Sequence, residues 1–255
     1  MDDLSALMLQ IAYGADEALD DQPIDRLVLR APRPQQSASL PETPAPRPAA
    51  RAPEIPAQLR AQTLADQART LEELRQAMES FDGCALSTTA TQLVFADGNP
   101  DSGLMLIGEA PGAEEDRMGK PFVGPSGQFL DRMLASIGLD RTNFLITNIV
   151  PWRPPGNRNP TDSEILLCRP FLMRHIALVR PQRLVLLGGI AAQSLLGSKS
   201  GITRLRGRWA TVDVPGLAAP IPALAMLHPA YLLRNPGAKR EMWQDLVALR
   251  QALEQ

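Results

Sequence analysis

The amino-acid sequence predicts an α/β fold, a three-layer α/β/α sandwich around a central, mainly parallel four-stranded sheet. Four short apolar runs support this prediction, at 104–107, 144–150, 184–187 and 224–227. Stretches with apolar residues at helical spacing follow them, at 127–137, 162–179, 189–196 and 238–253. Short buried runs that alternate with helices are typical of a parallel sheet with helices on both faces. Ligands bind beyond the carboxyl ends of the strands in such sheets, so we expect functional residues there.

The chain divides into three predicted segments. Residues 1–22 carry apolar side chains at helical spacing and predict a short amphipathic helix. Residues 23–56 are rich in proline and alanine and predict a flexible linker. Residues 57–255 form the predicted folded domain, which opens with a helical stretch at 57–80. Two interpretations of the N-terminal helix stay open, a flap that packs on its own domain and a peptide that docks a protein partner.

Composition and charge limit the classes of partner. The 255 residues are 44% hydrophobic, enough for one well-buried core. The net charge of −2 argues mildly against a nucleic-acid ligand, but the first segment is acidic and much of the second half is basic. The N-terminus does not resemble a signal peptide, and no apolar run reaches membrane-spanning length. We therefore expect a cytoplasmic protein with reduced cysteines and no membrane contact.

Two residue clusters follow the first apolar run. Residues 108–116 combine glycines, a proline and carboxylates, which suits close approach of the backbone to a ligand, but equally a turn with solvated acids. Residues 119–127 place Phe122 between glycines in a loop that opens a helix. A phenylalanine in a loop usually packs into the hydrophobic core. The alternative function is to stack on a nucleic-acid base. The helix start at Gly127 also offers free amides to an anion.

Two further clusters follow later runs. Asn148 lies at the end of the second run, where its amide either makes a structural hydrogen bond or reads a ligand as both donor and acceptor. His228 ends the fourth run just before a proline, and this position predicts a catalytic role. The other histidine, His175, falls in an amphipathic helical stretch, so we expect it to be packed or half exposed.

Together the four clusters resemble family 4 of the uracil-DNA glycosylase superfamily. The matching stretches are GEAPGAEED at 108–116, GKPFVG at 119–124, the N…RPPGNR run at 148–158 and HPAYLLR at 228–234. They occur in the right order and spacing, and the resemblance covers about residues 80–250. It implies a monofunctional enzyme that extrudes uracil from DNA, hydrolyses its N-glycosidic bond and leaves an abasic site in base-excision repair.

The resemblance also implies roles for individual residues. His228 is expected to donate to the uracil O2 as negative charge develops, with Glu115 near the uracil C5 or the attacking water and Glu109 in the loop that cradles the nucleotide. Phe122 is expected to stack on the uracil, and Asn148 to read its O4 and N3–H edge, which cytosine presents in reverse. The other implied substrate contacts are Gly108, Ala110 and Gly112, and the implied phosphate contacts are Ser126, Arg234 and Lys239.

Two departures from related enzymes bear on mechanism. Ala110 stands where relatives with a Gly-Gln-Asp-Pro-Tyr motif have an aspartate for the water, so we expect leaving-group stabilisation to matter more than base catalysis. Pro125 stands where many family members have arginine, as it does in a relative that binds uracil-DNA covalently. The histidine-bearing insertion of that relative has no counterpart at 150–160, so covalent trapping is not expected.

A third departure concerns the four-iron, four-sulfur cluster that family members hold with four cysteines. Cys84 and Cys168 match the second and fourth ligand positions, but Phe81 and Trp152 occupy the first and third. Such a cluster needs a full set of thiolates. We therefore expect no metal and no cofactor, and two buried thiols that lie close together.

Two other functions stay open. One is a non-catalytic reader of uracil-containing DNA, although a reader needs no donor aimed at the leaving group. The other is an unrelated α/β hydrolase of small nucleotides, which is weakened by the lack of a P-loop pattern and of metal-ligand spacing. We expect the protein to be a monomer.

Overall fold

The computed structural model describes residues 56–254. The helix predicted over 1–22 and all but the last residue of the predicted linker over 23–56 lie outside the described residues. Within the described range, no helix is long and apolar enough to cross a membrane.

A six-stranded sheet forms the centre of the described chain. Its strands are β1 (Asp97–Gly98), β2 (Leu104–Gly108), β3 (Leu145–Asn148), β4 (Arg183–Leu187), β5 (Trp209–Val212) and β6 (Ile221–Met226). Their order across the sheet is β1-β3-β2-β4-β6-β5. The four inner strands are mutually parallel, which confirms the predicted four-stranded core. β1 and β5 add an antiparallel strand at each edge.

Sequence patterning does not reveal the two edge strands. β1 is only two residues long, and three of the four residues of β5 are exposed. An edge strand needs no continuous apolar run because it is paired on one side only.

Ten α-helices accompany the sheet within the described residues. They are α1 (Ala57–Gln67), α2 (Leu71–Glu79), α3 (Leu86–Thr89), α4 (Ala113–Met118), α5 (Pro125–Ala135), α6 (Asp162–Val179), α7 (Gly189–Leu196), α8 (Ile202–Leu205), α9 (Pro229–Arg234) and α10 (Lys239–Leu253). The stretch expected at 57–80 is two helices, because the chain is extended at Ala68 and Thr70 then caps α2. The Thr70 hydroxyl accepts the Glu73 amide at 3.1 Å.

Two apolar cores cover the two faces of the sheet. Met105 and Ile107 of β2 belong to the core that includes residues of α1, α2, α6 and α7. Leu104 and Leu106 belong to the core that includes residues of α5, α9 and α10. Successive side chains of a strand point to opposite faces, so a strand covered on both faces is apolar throughout. The sandwich architecture therefore follows from the continuous apolar runs.

Candidate active site

The carboxyl ends of the parallel strands meet at a cavity of about 460 Å³. β2 leads into Glu109, β3 ends at Asn148, and β6 leads into His228. Phe122 lies in the turn before α5, and Ser126 lies in the first turn of that helix. All predicted site residues except Gly108 and Lys239 line the cavity: Glu109, Ala110, Gly112, Glu115, Phe122, Ser126, Asn148, His228 and Arg234. The carboxyl end of the sheet thus collects residues from three strand ends and from α4, α5 and α9.

Gly108 supports the cavity from the last position of β2. A Cβ atom there would lie 2.4 Å from Cζ of Phe122 and 2.5 Å from Oδ1 of Asn148. Both distances are below the 3.0 Å that real Cβ atoms essentially never cross. Glycine is required because the ring and the amide fill the space of a side chain.

The Asn148 side chain is only 4% exposed. Its Oδ1 atom is buried and has no hydrogen-bond partner among the described residues. Leaving a buried acceptor unpaired costs about 1–3 kcal/mol, so such groups usually have a partner or a functional reason. The sequence left open whether the Asn148 amide makes a structural hydrogen bond or binds a ligand. Its Oδ1 makes no structural hydrogen bond with the described residues, so this oxygen is available to a ligand.

Phe122 adopts a strained backbone conformation in the wall of the cavity. Its φ is 55°, a left-handed value that bulky residues rarely adopt. Nη2 of Arg141 donates to the Phe122 carbonyl at 2.7 Å, and Arg141 is itself paired with Asp131. Gly127 is pressed against the same carbonyl, since a Cβ there would lie 1.9 Å from it. The Phe122 ring is buried and lies 5.8 Å from the His228 ring, centroid to centroid.

Glu115 is a buried carboxylate that joins two loops of the site. Its Oε1 accepts the amides of Val123 and Gly124, at 3.0 and 2.8 Å. Its Oε2 accepts the amide of Gly112 at 3.1 Å. These bonds hold the loop after β2 against the loop that carries Phe122, so the carboxylate fixes the shape of the cavity.

Glu109 differs from Glu115 although both line the cavity. Burial raises the pKa of Glu109 above its ordinary value. Among the described residues no group donates a hydrogen bond to its carboxylate. Glu109 is therefore the carboxylate of the cavity wall whose oxygens are available to substrate or water.

His228 is held in one tautomer at the start of α9. Its Nδ1 accepts the amide of Ala230 at 3.2 Å, so the neutral ring carries its proton on Nε2. Burial, and second the charge of Arg234, lower the pKa of His228 to about 4. The ring is therefore a neutral hydrogen-bond donor at neutral pH. Gly188, after β4, packs so closely that a Cβ there would lie 3.1 Å from that of His228.

The rim of the cavity contains residues that the sequence did not single out. Asn157, Arg158 and Asn159 line it, whereas the predicted phosphate contact Lys239 lies outside, exposed and 5.4 Å over the Phe129 ring. Arg158 donates to both carboxylate oxygens of Glu164, at 2.9 and 2.7 Å. The RPPGNR run marked this loop, but nothing in the sequence shows which of its residues face the cavity.

His175 lies outside the site, as the sequence predicts, and is fully packed. It is 3% exposed and stacks on Phe95, with ring centroids 4.6 Å apart and an angle of 7° between the planes. Burial lowers its pKa to about 4. It is a neutral core residue.

The four positions that the family resemblance assigns to an iron–sulfur cluster all belong to one buried core. Phe81, Cys84, Trp152 and Cys168 are each at most 3% exposed, and Phe81 packs edge-on against Phe171 with centroids 5.2 Å apart. The described residues contain no group of three or more side chains able to ligate a metal. Two thiols beside two aromatic rings do not fit a cluster that needs four sulfur ligands.

The two cysteines of this core are both free and buried. The Cys168 thiol, with the amides of Leu86 and Ser87, lowers the pKa of Cys84 to about 7. The Cys84 thiol and burial raise the pKa of Cys168 well above its ordinary value. Both thiols are thus buried, as the sequence predicts.

Comparison with known proteins agrees with this geometry. The family model of the uracil DNA glycosylase superfamily matches residues 95–247. The type-4 uracil-DNA glycosylase of Pyrobaculum aerophilum is 36% identical over 185 residues, which cover 69% of this chain and 91% of that protein. The enzyme of the same name from Thermotoga maritima is 37% identical over 166 residues, covering 65% and 84%. The residues that line the cavity all lie within the matched segment. The chain therefore belongs to the uracil-DNA glycosylase superfamily, in its type-4 branch.

Proposed function

We propose that this protein is a monofunctional uracil-DNA glycosylase. It hydrolyses the N-glycosidic bond of a deoxyuridine extruded from DNA, releases uracil and leaves an abasic site for base-excision repair. The observation that supports this most directly is the meeting of three groups in one cavity: the unpaired amide oxygen of Asn148, the Phe122 ring and the neutral His228 imidazole. The names of the similar enzymes point to the same reaction.

Uracil recognition follows from the Asn148 amide. Its Oδ1 accepts the N3–H of uracil, and its NH₂ group donates to O4. Cytosine has an acceptor at N3 and a donor at N4, so both contacts become repulsive. The Phe122 ring packs on the face of the base, and its position is fixed because Arg141 and Gly127 hold its backbone.

His228 stabilises the leaving group. As the glycosidic bond breaks, negative charge collects on the uracil and its O2 becomes a better acceptor. The Nε2–H of a neutral imidazole donates to this oxygen without a proton being taken from solvent. A donor placed where charge develops contributes about 100-fold or more to the rate.

The two carboxylates that line the cavity act on the deoxyribose and on the attacking water. Glu109 provides a carboxylate beside the sugar, which becomes cation-like in the transition state, and it orients the attacking water. Glu115 acts as a positioning residue because three loop amides occupy its oxygens. Ala110 has no group that takes a proton, so the reaction depends on charge stabilisation more than on base catalysis.

DNA approaches the rim of the cavity. Ser126 and Arg234 line the cavity and contact phosphates beside the extruded nucleotide, while Lys239 contacts a phosphate farther along the strand. Tyr231 and Leu233 on α9 are 40% and 46% exposed beside this rim. Apolar side chains at such a place fill the gap that the extruded base leaves in the stack.

We further propose that the enzyme works without an iron–sulfur cluster. Phe81 and Trp152 occupy two of the four ligand positions, and both side chains are buried in an apolar core. Protein purified under anaerobic conditions is expected to contain no stoichiometric iron and to show no absorption near 400 nm. Iron at four atoms per chain would contradict this.

The function is tested by uracil release from a uracil-containing oligonucleotide, read as alkali cleavage of the abasic product. Wild type is expected to release uracil, and Asn148→Ala and His228→Ala to lose about 100-fold or more each. Gly201→Ala is the matched control, because its added methyl group meets nothing within 4 Å. Uracil-dependent binding without release would identify a reader, and hydrolysis of free deoxyuridine in preference to DNA would identify a nucleotide hydrolase.

A further inference from the structure

Residues 202–208, which include α8, form a basic loop at the same end of the sheet as the active site. Gly207 of this loop donates its amide to the carbonyl of Ala225 at 3.0 Å, one residue before β6 ends. A Cβ atom at Gly189 would lie 3.9 Å from that of the first residue of α8, and the same turn after β4 packs against His228. The basic loop therefore lies beside the carboxyl end of β6 and next to the turn that supports His228.

Arg206 anchors the basic loop to α10. Its Nε and Nη2 atoms donate to the two carboxylate oxygens of Asp245, at 2.9 and 2.7 Å, and Nη2 also donates to the carbonyl of Glu241. The Asp245 side chain is only 1% exposed. Gly207 packs on the same carboxylate, since a Cβ there would lie 2.7 Å from Oδ1 of Asp245. The backbone of the loop is thus fixed, and its other side chains start from a rigid support.

Arg204 and Arg208 lie two residues before and two residues after this anchor, and both are exposed. Neither forms a salt bridge with any residue from 56 to 254, in contrast to Arg206. Asp213 is the only acidic residue of the sequence between 165 and 240. The two guanidinium groups are therefore available to an anion from outside the chain.

The same anchor joins the basic loop to a second basic segment. Glu241, whose carbonyl Arg206 contacts, follows two residues after Lys239 at the start of α10. The preceding helix, α9, carries Arg234, which lines the active-site cavity. Residues 202–208 and 234–245 together carry six basic and two acidic side chains, and one of those acids is the buried partner of Arg206. Positive charge therefore continues from the cavity rim along α9 and α10 to the basic loop.

We propose that Arg204 and Arg208 bind backbone phosphates of the DNA on one side of the extruded nucleotide. This role rests on the proposed function, in which DNA crosses the rim of the cavity. A guanidinium group pairs with a phosphate through two parallel hydrogen bonds. Phosphate contacts position a protein on DNA without reading its sequence. The two arginines thus strengthen binding to any DNA and leave bond cleavage to the residues of the cavity.

Phosphate contacts of this kind have a characteristic salt dependence. Each phosphate that a basic side chain neutralises on a duplex contributes about 0.9 to the slope of log K against log salt concentration, because counterions are released. Removing both arginines is therefore expected to lower the slope by about 1.8. Replacing both by lysine keeps the two charges and is expected to keep most of the slope.

The test measures binding of the full chain to a fluorescently labelled, uracil-free duplex by anisotropy, over a series of salt concentrations. Arg204→Ala/Arg208→Ala is compared with wild type, with Arg204→Lys/Arg208→Lys and with Arg180→Asn. Arg180 is an exposed arginine that ends α6 just before β4 begins, at the opposite end of the sheet, and asparagine tolerates its left-handed φ of 53°. Only the alanine double variant is expected to lose slope, and its Tm is expected to match wild type because both side chains are exposed.

A second measurement compares uracil release from a long duplex and from an oligonucleotide with one nucleotide on each side of the uracil. In the alanine double variant, half-maximal single-turnover release is expected to need more enzyme on the long duplex only, with an unchanged rate at saturation. An unchanged salt slope, an equal loss of slope in Arg180→Asn, or an equal effect on the short oligonucleotide would overturn the proposal. Binding to uracil-free DNA needs no catalysis. The expected slopes without uracil release by wild type would therefore refute the proposed function and leave this DNA surface standing.

Discussion

Replacing Gly108 by alanine tests whether the cavity is assembled as described. The new methyl group would lie 2.4 Å from Cζ of Phe122 and 2.5 Å from Oδ1 of Asn148, whereas ordinary contact begins at 3.4 Å. The ring and the amide must each retreat by about 1 Å. A displacement of that size at a reacting centre costs about 100-fold in rate, or about 2.7 kcal/mol of transition-state stabilisation. Overpacking is expected to lower the free energy of unfolding by about 1–3 kcal/mol as well.

The assay is single-turnover uracil release with enzyme in excess over oligonucleotide, at a temperature well below the Tm of the variant. Gly201→Ala is the control, because Gly201 has an ordinary φ of −67° and open space around the added methyl group. Its activity and Tm are expected to match wild type. Since Gly108→Ala removes no polar group, its loss of activity would come from geometry alone.

Two results would refute this reasoning. Activity of Gly108→Ala within threefold of wild type would show that Phe122 and Asn148 move without consequence. An equal loss in Gly201→Ala would show that the effect is not specific to the cavity.

Three further predictions follow from individual side chains. Because the pKa of His228 is about 4, this ring should cause no fall in single-turnover uracil release between pH 8 and pH 5; the profile is measured in Glu109→Gln, which removes the raised pKa of Glu109, and a fall centred near pH 6.5 in that variant would contradict the neutral donor. Glu115→Gln removes a charged acceptor of three amides, so urea unfolding should show a loss of about 1.5–3 kcal/mol, and an unchanged stability would contradict the positioning role. Arg206 donates to both carboxylate oxygens of Asp245, but burial outweighs this pair and raises the pKa of Asp245 to about 6, so the folded protein binds this proton more tightly than the unfolded chain does. The stability of wild type relative to Asp245→Asn should therefore fall as pH rises from about 4 to 6, measured by urea unfolding at both ends, and a rise would contradict the shift.

Local patterns in the sequence were sufficient to predict the scaffold. Continuous apolar runs identify strands covered on both faces, and all four predicted runs are inner strands of the sheet. The helices predicted at 162–179 and 189–196 have these same bounds in the structure. The rule that ligands bind beyond the carboxyl ends of parallel strands then placed Asn148 and His228 together, and the two do line one cavity.

Local sequence patterns did not predict the two edge strands or the break between α1 and α2. β1 and β5 are short and largely exposed, so their pairing depends on the neighbouring strands and not on their own residues. The break between α1 and α2 depends on a turn at Ala68 and a cap at Thr70, which apolar periodicity does not report.

The sequence by itself determined the fold class, the strand ends and the residue types available to the site. Only the tertiary structure decided what each of those residues contacts. Glu109 and Glu115 are the same residue type in one motif, yet Glu115 is bound to three loop amides and Glu109 is not. Likewise, only the folded chain brings Cys84 and Cys168 into one core and the Ala230 amide to Nδ1 of His228. The physical reason is that apolar patterning is a local property of the chain, whereas hydrogen bonds and pKa shifts depend on atoms brought together by folding.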